Sequence, residues 1–400
     1  MQDSQANHLT HHWKMWLAVI AISLAAFIFN TSEFVPIGLL SLIAKDFGVS
    51  EAEAGFLISL YAWVVALASL PLMLACSRFE MKRLLLLVVG LFVLSHIGSA
   101  LSSGYWTLML SRIGVACAHA LFWSIATPMA VRIAPKGKES VALSCIATGT
   151  SIALIAGLPL GRVIGLHLGW RISFLSIGIV AFLLLLVLVK SLPKIPSGGA
   201  ISPRSLPKLL KTPQLLGIYG ITLCLVSAHF IVYSYIEPFL MQYANFGENV
   251  ITMVLIVFGG IGFVGSFVFS KYYNEYKTFF LNFAIFGIFI ALASLIGAKF
   301  SLFGALLICV LWGLCITLFN LTLQAKVLQL VPVGTAVAMS MFSGIYNVGI
   351  GSGAFIGGIV IQYLGIANLG FVGAGIALCV YIYYSKNVFL NNKIVAGGKL

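Results

Sequence analysis

Residues 25–40 read AAFIFNTSEFVPIGLL. Asn30, Thr31, Ser32 and Glu33 stand together inside a run that is otherwise apolar from about residue 16 to 44. A run of that length crosses a bilayer as a helix, which needs about 20 apolar residues. A carboxylate part-way along such a helix is costly if it stays charged and faces lipid. Glu33 is therefore expected to face protein or a water-filled cavity.

Eleven more runs of spanning length follow. They fall at roughly 52–76, 82–102, 105–133, 140–167 and 171–191, then at 214–242, 249–272, 277–298, 302–330, 335–365 and 367–387. Between the two sets, Pro193 to Pro213 reads PKIPSGGAISPRSLPKLLKTP, with five prolines and two glycines. That composition predicts a mostly extended connector. The expected fold class is an all-α membrane protein, with 12 transmembrane helices in two six-helix bundles. The expected boundaries are a tail over 1–15, a bundle over 16–192, a linker over 193–213, a bundle over 214–387 and a tail over 388–400.

Composition agrees. Of 400 residues, 61% are hydrophobic and 8% charged, with a mean hydropathy of +1.09. Soluble domains carry roughly a quarter charged residues. A membrane β-barrel would show short alternating segments instead of long apolar runs. The net charge of +13 does not point to nucleic acid, because the basic residues cluster in short loops on one side. That side carries Lys14, Arg78, Lys82, Arg83, Arg132, Lys136, Lys138, Lys190, Lys194, Arg204, Lys208, Lys211, Lys271 and Lys277. The other has Lys45, Arg171 and Lys299. Both termini and the linker are expected in the cytoplasm.

The seven cysteines form no CxxC pair, so neither a disulfide framework nor a metal site is expected. No GxxxxGK[ST] phosphate loop, dinucleotide fingerprint or HExxH stands in the chain. No cofactor, no enzymatic activity and no ATP-driven step are expected; energy must come from an ion gradient or from the substrate's own gradient.

The halves echo each other. Pro135–Ser144, PKGKESVALS, returns as Pro332–Ser340, PVGTAVAMS. Glu33 has a counterpart in Glu237, within YSYIEPFL of the seventh run. Duplicated six-helix halves are a transporter plan with the substrate near the midplane. In the fifth run Gly149, Ala153, Gly157, Gly161 and Gly165 recur every four residues on one helix face; Gly349, Gly353 and Gly357 repeat this in the eleventh. Small residues let backbones approach closely. The faces are read as tight packing, and also as seals between the halves that part during turnover. Pro159 is expected to bend the fifth helix.

Glu33 and Glu237 are the two acids read as lying well inside the bilayer. A buried carboxyl can change protonation as its surroundings change, so both are proton-coupling candidates; a permanently paired structural Glu is the alternative. Arg112, in LSRIGVACAHA, needs a partner, and Glu33 is the first candidate. His119 and Trp123 share a face of the fourth helix one turn apart, as His229 and Tyr233 do on the seventh. Aromatic faces beside donors and acceptors suit a sugar, whose ring has apolar faces and polar edges. Asn30, Tyr61, Asn320, Tyr346 and Asn347 are further polar groups read as substrate contacts, with helix–helix hydrogen bonding as the alternative for each.

The six-plus-six plan, FNTSEFVPIGLL, SRIGVACAHALFWS, IATGT with GLPLGR, and AHFIVYSYIEPF together resemble the major facilitator superfamily. The likeness is to its proton-coupled antiporters and, among them, to bacterial sugar efflux transporters. Arg112 matches the basic residue of the superfamily's helix-four motif, and Gly149, Gly157, Pro159, Gly161 and Gly165 resemble its glycine-rich antiporter motif. The resemblance implies export of arabinose, lactose-like sugars or thiogalactosides by proton antiport from a bacterial inner membrane. Multidrug export on the same fold, or a non-transporting membrane sensor, are the alternatives. Partners implied are a small sugar, protons and the lipid bilayer, with the chain a monomer. One stretch departs from the family. Where the loop between helices two and three usually reads GxLxDRxGRR, this chain has MLACSRFEMKR. Arg78 and Arg83 remain, and Glu80 is the candidate to replace the missing acid at the gate.

Overall fold

Long apolar segments separated by Gly, Pro and charged residues leave the backbone one way to satisfy its polar groups in lipid, which is the helix. The computed structural model describes residues 2–76, 79–195, 212–273, 275–330 and 335–397. Among these, twelve helices are long and apolar enough to cross a membrane. They are α1 Trp13–Gly38, α2 Glu51–Ser69, α3 Met81–Ala100, α4 Tyr105–Ile133, α5 Val141–Leu168 and α6 Trp170–Ser191, then α7 Pro213–Tyr233, α8 Glu248–Tyr272, α9 Lys277–Lys299, α10 Leu302–Leu330, α11 Ala338–Leu364 and α12 Ile366–Lys386. Their outward faces are oily: Leu87 is 62% exposed, Leu110 70% and Phe303 71%. Water would not tolerate such a surface, and lipid does.

The chain clusters into two units, residues 1–49 with 60–203, and residues 50–59 with 204–400. The sequence echo has a structural counterpart. In the first unit α1 packs on α5 and α6, and α3 on α4 and α6; in the second α7 packs on α11 and α12, and α9 on α10 and α12. Arg78 and most of the linker, 196–211, lie outside the described residues, as do Pro332 and Gly334.

The glycine faces explain the tightest of these contacts. A Cβ on Gly149 would collide with the Ser23 carbonyl oxygen, on Gly157 with Thr31, on Gly161 with Val35 and on Gly165 with Leu39. The register climbs α5 and α1 together, four residues at a time. In the second unit a Cβ on Gly353 would strike the Ser227 carbonyl oxygen, and on Gly357 the Ile231 carbonyl oxygen and the Tyr235 ring. The faces are spent inside each unit, seating α1 on α5 and α7 on α11. Gly161→Leu is expected to destabilise the protein by about 1–3 kcal/mol, the usual cost of overpacking, or to prevent folding. Gly90→Ala, with open space around its Cβ position, should be neutral or slightly stabilising. Thermal unfolding of both variants in detergent checks the contrast.

Prolines mark where the two key helices change course. Pro159 has no N–H to give the carbonyl of Ile155, and the misfit is absorbed as a π turn over Ala153–Gly157. Beyond Pro36, α1 stops at Gly38 and a separate short helix, Leu40–Phe47, follows. The Gly38 carbonyl left at that break accepts from Arg162 Nη1 of α5 at 2.6 Å, a cation at a helix C-terminus. In the second unit α7 ends at Tyr233, a turn follows, and Ile236–Pro238 and Phe239–Tyr243 continue as short helical pieces. Pro238 cannot donate to Ser234. Glu237 therefore sits, fully buried, in the short helical piece that follows the turn ending α7.

Candidate functional site

Three stacked rings fix the floor of the first-unit site. Phe29 of α1 lies between Phe92 of α3, 3.9 Å between centroids, and Phe122 of α4, 4.1 Å. One turn further along α1 is Glu33, 9% exposed. The carboxylate is sheltered, as its place in an apolar helix demanded. Its Oε2 lies 3.8 Å from His119 Nε2.

Arg112, 2% exposed, is in the same cluster but does not pair directly with Glu33, which corrects that expectation. Its Nη1 donates to Ser32 Oγ at 3.2 Å, and its guanidinium lies 4.5 Å from the Tyr61 ring centroid and 5.6 Å from that of Phe174. The reason is angular. Successive residues on a helix point about 100° apart, so Ser32 meets Arg112 while Glu33 turns to His119, two turns along α4. Ser32 Oγ also sits 2.8 Å from His96 Nε2 of α3.

His119 is held from two directions. Its Nδ1 is 2.9 Å from the Tyr61 hydroxyl of α2, and its Nε2 accepts from Trp123 Nε1 at 2.9 Å. Glu33, Tyr61, Arg112, His119 and Trp123 are thus brought together, joined by Ser32 and His96. Asn30 stands apart, with Nδ2 donating to the Ala26 carbonyl at 3.0 Å and lying 3.4 Å from Thr150 Oγ1 of α5. It supports the α1–α5 seam.

The second unit holds an aromatic box. His229 and Tyr233 stack at 5.0 Å, and Tyr233 stacks on Phe258 of α8 at 4.9 Å. Trp312 of α10 stands edge-on to His229 at 5.2 Å and to Phe258 at 5.1 Å. His229 Nδ1 and Trp312 Nε1 are buried without a hydrogen-bond partner among the described residues. Of the other polar candidates, Asn320 accepts from Gln324 within α10, and Asn347 donates to the Ser343 carbonyl within α11 while its Oδ1 is buried without a partner among the described residues. The Tyr346 ring lies 6.2 Å from that of Phe342.

A family model described as Major Facilitator Superfamily matches residues 22–338. The chain belongs to the major facilitator superfamily. Solved structures agree on the fold. A bacterial homolog of the human lysosomal transporter Spinster, in an inward-facing and unoccupied conformation, aligns with a TM-score of 0.70 at 16% identity, over 94% of this chain and 96% of that one. A mutant of the nucleoside transporter NupG aligns with a TM-score of 0.74 at 14% identity, over 92% and 99%. This is a multi-pass membrane protein with the major facilitator fold.

For a superfamily member, the loop between α2 and α3 is of interest because it lacks the usual acid. Glu80 pairs with Arg83 Nε at 3.3 Å and accepts from the backbone N–H of Ile195 at 3.3 Å. Lys82 Nζ donates to the Leu192 carbonyl at 2.6 Å, at the end of α6. These contacts tie the start of α3 to the end of α6 within the first unit. His96, Ser32, Trp312 and Phe258 are site neighbours that sequence reasoning missed. His96 and Trp312 had a signal, the single polar-tipped ring of each helix, but their partners lie on other helices.

Proposed function

We propose that this chain exports small sugars, such as arabinose, lactose-like disaccharides or thiogalactosides, in exchange for protons by alternating access. It would act as a monomer in a bacterial inner membrane, with both termini cytoplasmic and its two six-helix bundles joined by the 193–213 linker. The observation that carries the proton half is the burial of Glu33 beside His119, Tyr61 and Arg112 on membrane-spanning helices. Intramembrane ionisable clusters of this kind mark proton and ion pathways. Glu33 is the main proton carrier, with Arg112 in support and Glu237 as the second carboxyl. The sugar half rests on the aromatic box, where flat rings stand beside the His229 and Trp312 nitrogens that have no hydrogen-bond partner among the described residues. Such a lining fits C–H faces and hydroxyl edges. One structural neighbour is a nucleoside transporter and another a homolog of a lysosomal transporter, and at these identities they support the fold and leave the substrate to the site.

Purified protein in liposomes, with labelled sugar and an imposed pH gradient, provides the test. Sugar should accumulate against its own gradient only when the proton gradient is present. Drug movement without sugar movement would favour multidrug export, and movement of neither would favour a sensor. A sharper check targets the box. Trp312→Phe keeps the ring and deletes one donor, worth about 1 kcal/mol. Sugar affinity is expected to fall about five- to tenfold, with the proton requirement unchanged. Isothermal titration and flux at two pH values measure the two effects separately.

A further inference from the structure

We propose that His119 is a second proton-binding residue, held empty in this state by Trp123. The inference rests, for its use in transport, on the proton-coupled reading of Glu33. The chemistry of the indole decides it. An indole nitrogen has one hydrogen to give and no lone pair to accept with. With Trp123 Nε1 at 2.9 Å, His119 Nε2 must be the acceptor. The ring proton is then on Nδ1, where it donates to the Tyr61 oxygen at 2.9 Å. His119 is a neutral imidazole of fixed tautomer, and its 3.8 Å approach to Glu33 Oε2 is not an ion pair in this state.

A proton on Nε2 and a hydrogen bond from Trp123 exclude each other, because both would place hydrogens on the same line. To protonate His119, the indole must turn away. Glu33 Oε2, 3.8 Å from Nε2, is then the acid group beside the new N–H. The step balances with a proton taken from water: a hydronium O–H bond breaks, an N–H bond forms on Nε2, and a carboxylate beside an imidazolium replaces a carboxylate beside an imidazole. The charged and titratable groups around His119 agree with a single shared proton. Glu33 faces it from α1 and favours the imidazolium. Tyr61 holds Nδ1 from α2. Arg112, its guanidinium over the Tyr61 ring at 4.5 Å, opposes a second positive charge unless Glu33 is ionised. His96 of α3 is screened behind Ser32.

The test reads protonation directly. Protein labelled with 15N in histidine and tryptophan is placed in lipid nanodiscs, and His119 and Trp123 are assigned by the signals lost in His119→Gln and Trp123→Phe. At neutral pH the His119 signals should show Nδ1 protonated and Nε2 bare. On acidification the second nitrogen should gain a proton, and the Trp123 indole signal should move with it. In His119→Gln the side-chain carbonyl can still accept from Trp123 but cannot take a proton, so the indole signal should no longer respond to pH. Trp123→Phe should lose the single tautomer. A neutral-pH His119 protonated on Nε2, or an indole signal that ignores the imidazole, would overturn the proposal. Glu33→Gln transport assays report on the parent reading alone, so the two can fail independently.

Discussion

Glu33→Gln is expected to abolish uphill sugar export, by at least about 100-fold, the scale on which a positioned proton-transfer group matters. Glutamine keeps the size of the side chain and its capacity to hydrogen-bond beside His119. It removes the ability to carry a proton. Downhill exchange of labelled for unlabelled sugar should persist, because the aromatic box of the second unit is untouched. The pH dependence should go with the uphill activity. In the wild type, export should speed up as the outside is made more acidic than the inside, if inward protons reset the carrier as proposed; in the variant the rate should be flat across the same range. The paired measurement separates loss of coupling from loss of fold. A variant that still concentrates sugar at the normal rate in response to a pH gradient would remove Glu33 from the mechanism. One that fails at exchange as well would point to a structural role.

Sequence reasoning reached the fold because a bilayer leaves little choice. Backbone groups in lipid must be satisfied within a helix or a closed barrel, so apolar length alone places twelve spans. It reached Glu33 by the same logic, since an acid in an apolar run must be sheltered. Pairing was harder. Arg112 and Glu33 lie in helices four and one, and depth counting could bring them near each other. It could not see that Ser32, one residue earlier, faces the guanidinium instead. The glycine stripe of α5 was recognised as a close-packing face, but a stripe does not name its partner, and it packs on α1. His96 and Trp312 each became visible only when neighbouring helices turned them toward Ser32 and His229.

Arg112 supports a second large effect, whose sign depends on what is left behind. The guanidinium is nearly fully buried, donates from one nitrogen to Ser32 and spreads over two aromatic rings. Lysine is a compact point charge that cannot stack in that way, so Arg112→Lys should cost transport about tenfold or more, on the scale of a cation–π contact and a charged hydrogen bond lost together. Arg112→Met goes further. It removes the positive charge and leaves Glu33 as an uncompensated acid in an apolar shell, and such a change is strongly destabilising. If the two groups balance each other through the cluster without a direct pair, Arg112→Met combined with Glu33→Gln should be more stable than Arg112→Met alone. The recovery should be about 1–3 kcal/mol, a coupling typical of residues in one network, even though the double variant does not transport. Thermal unfolding of the four proteins in one detergent completes the cycle. Strict additivity would mean that Arg112 serves Tyr61 and Ser32 only, and that the charge on Glu33 is balanced elsewhere.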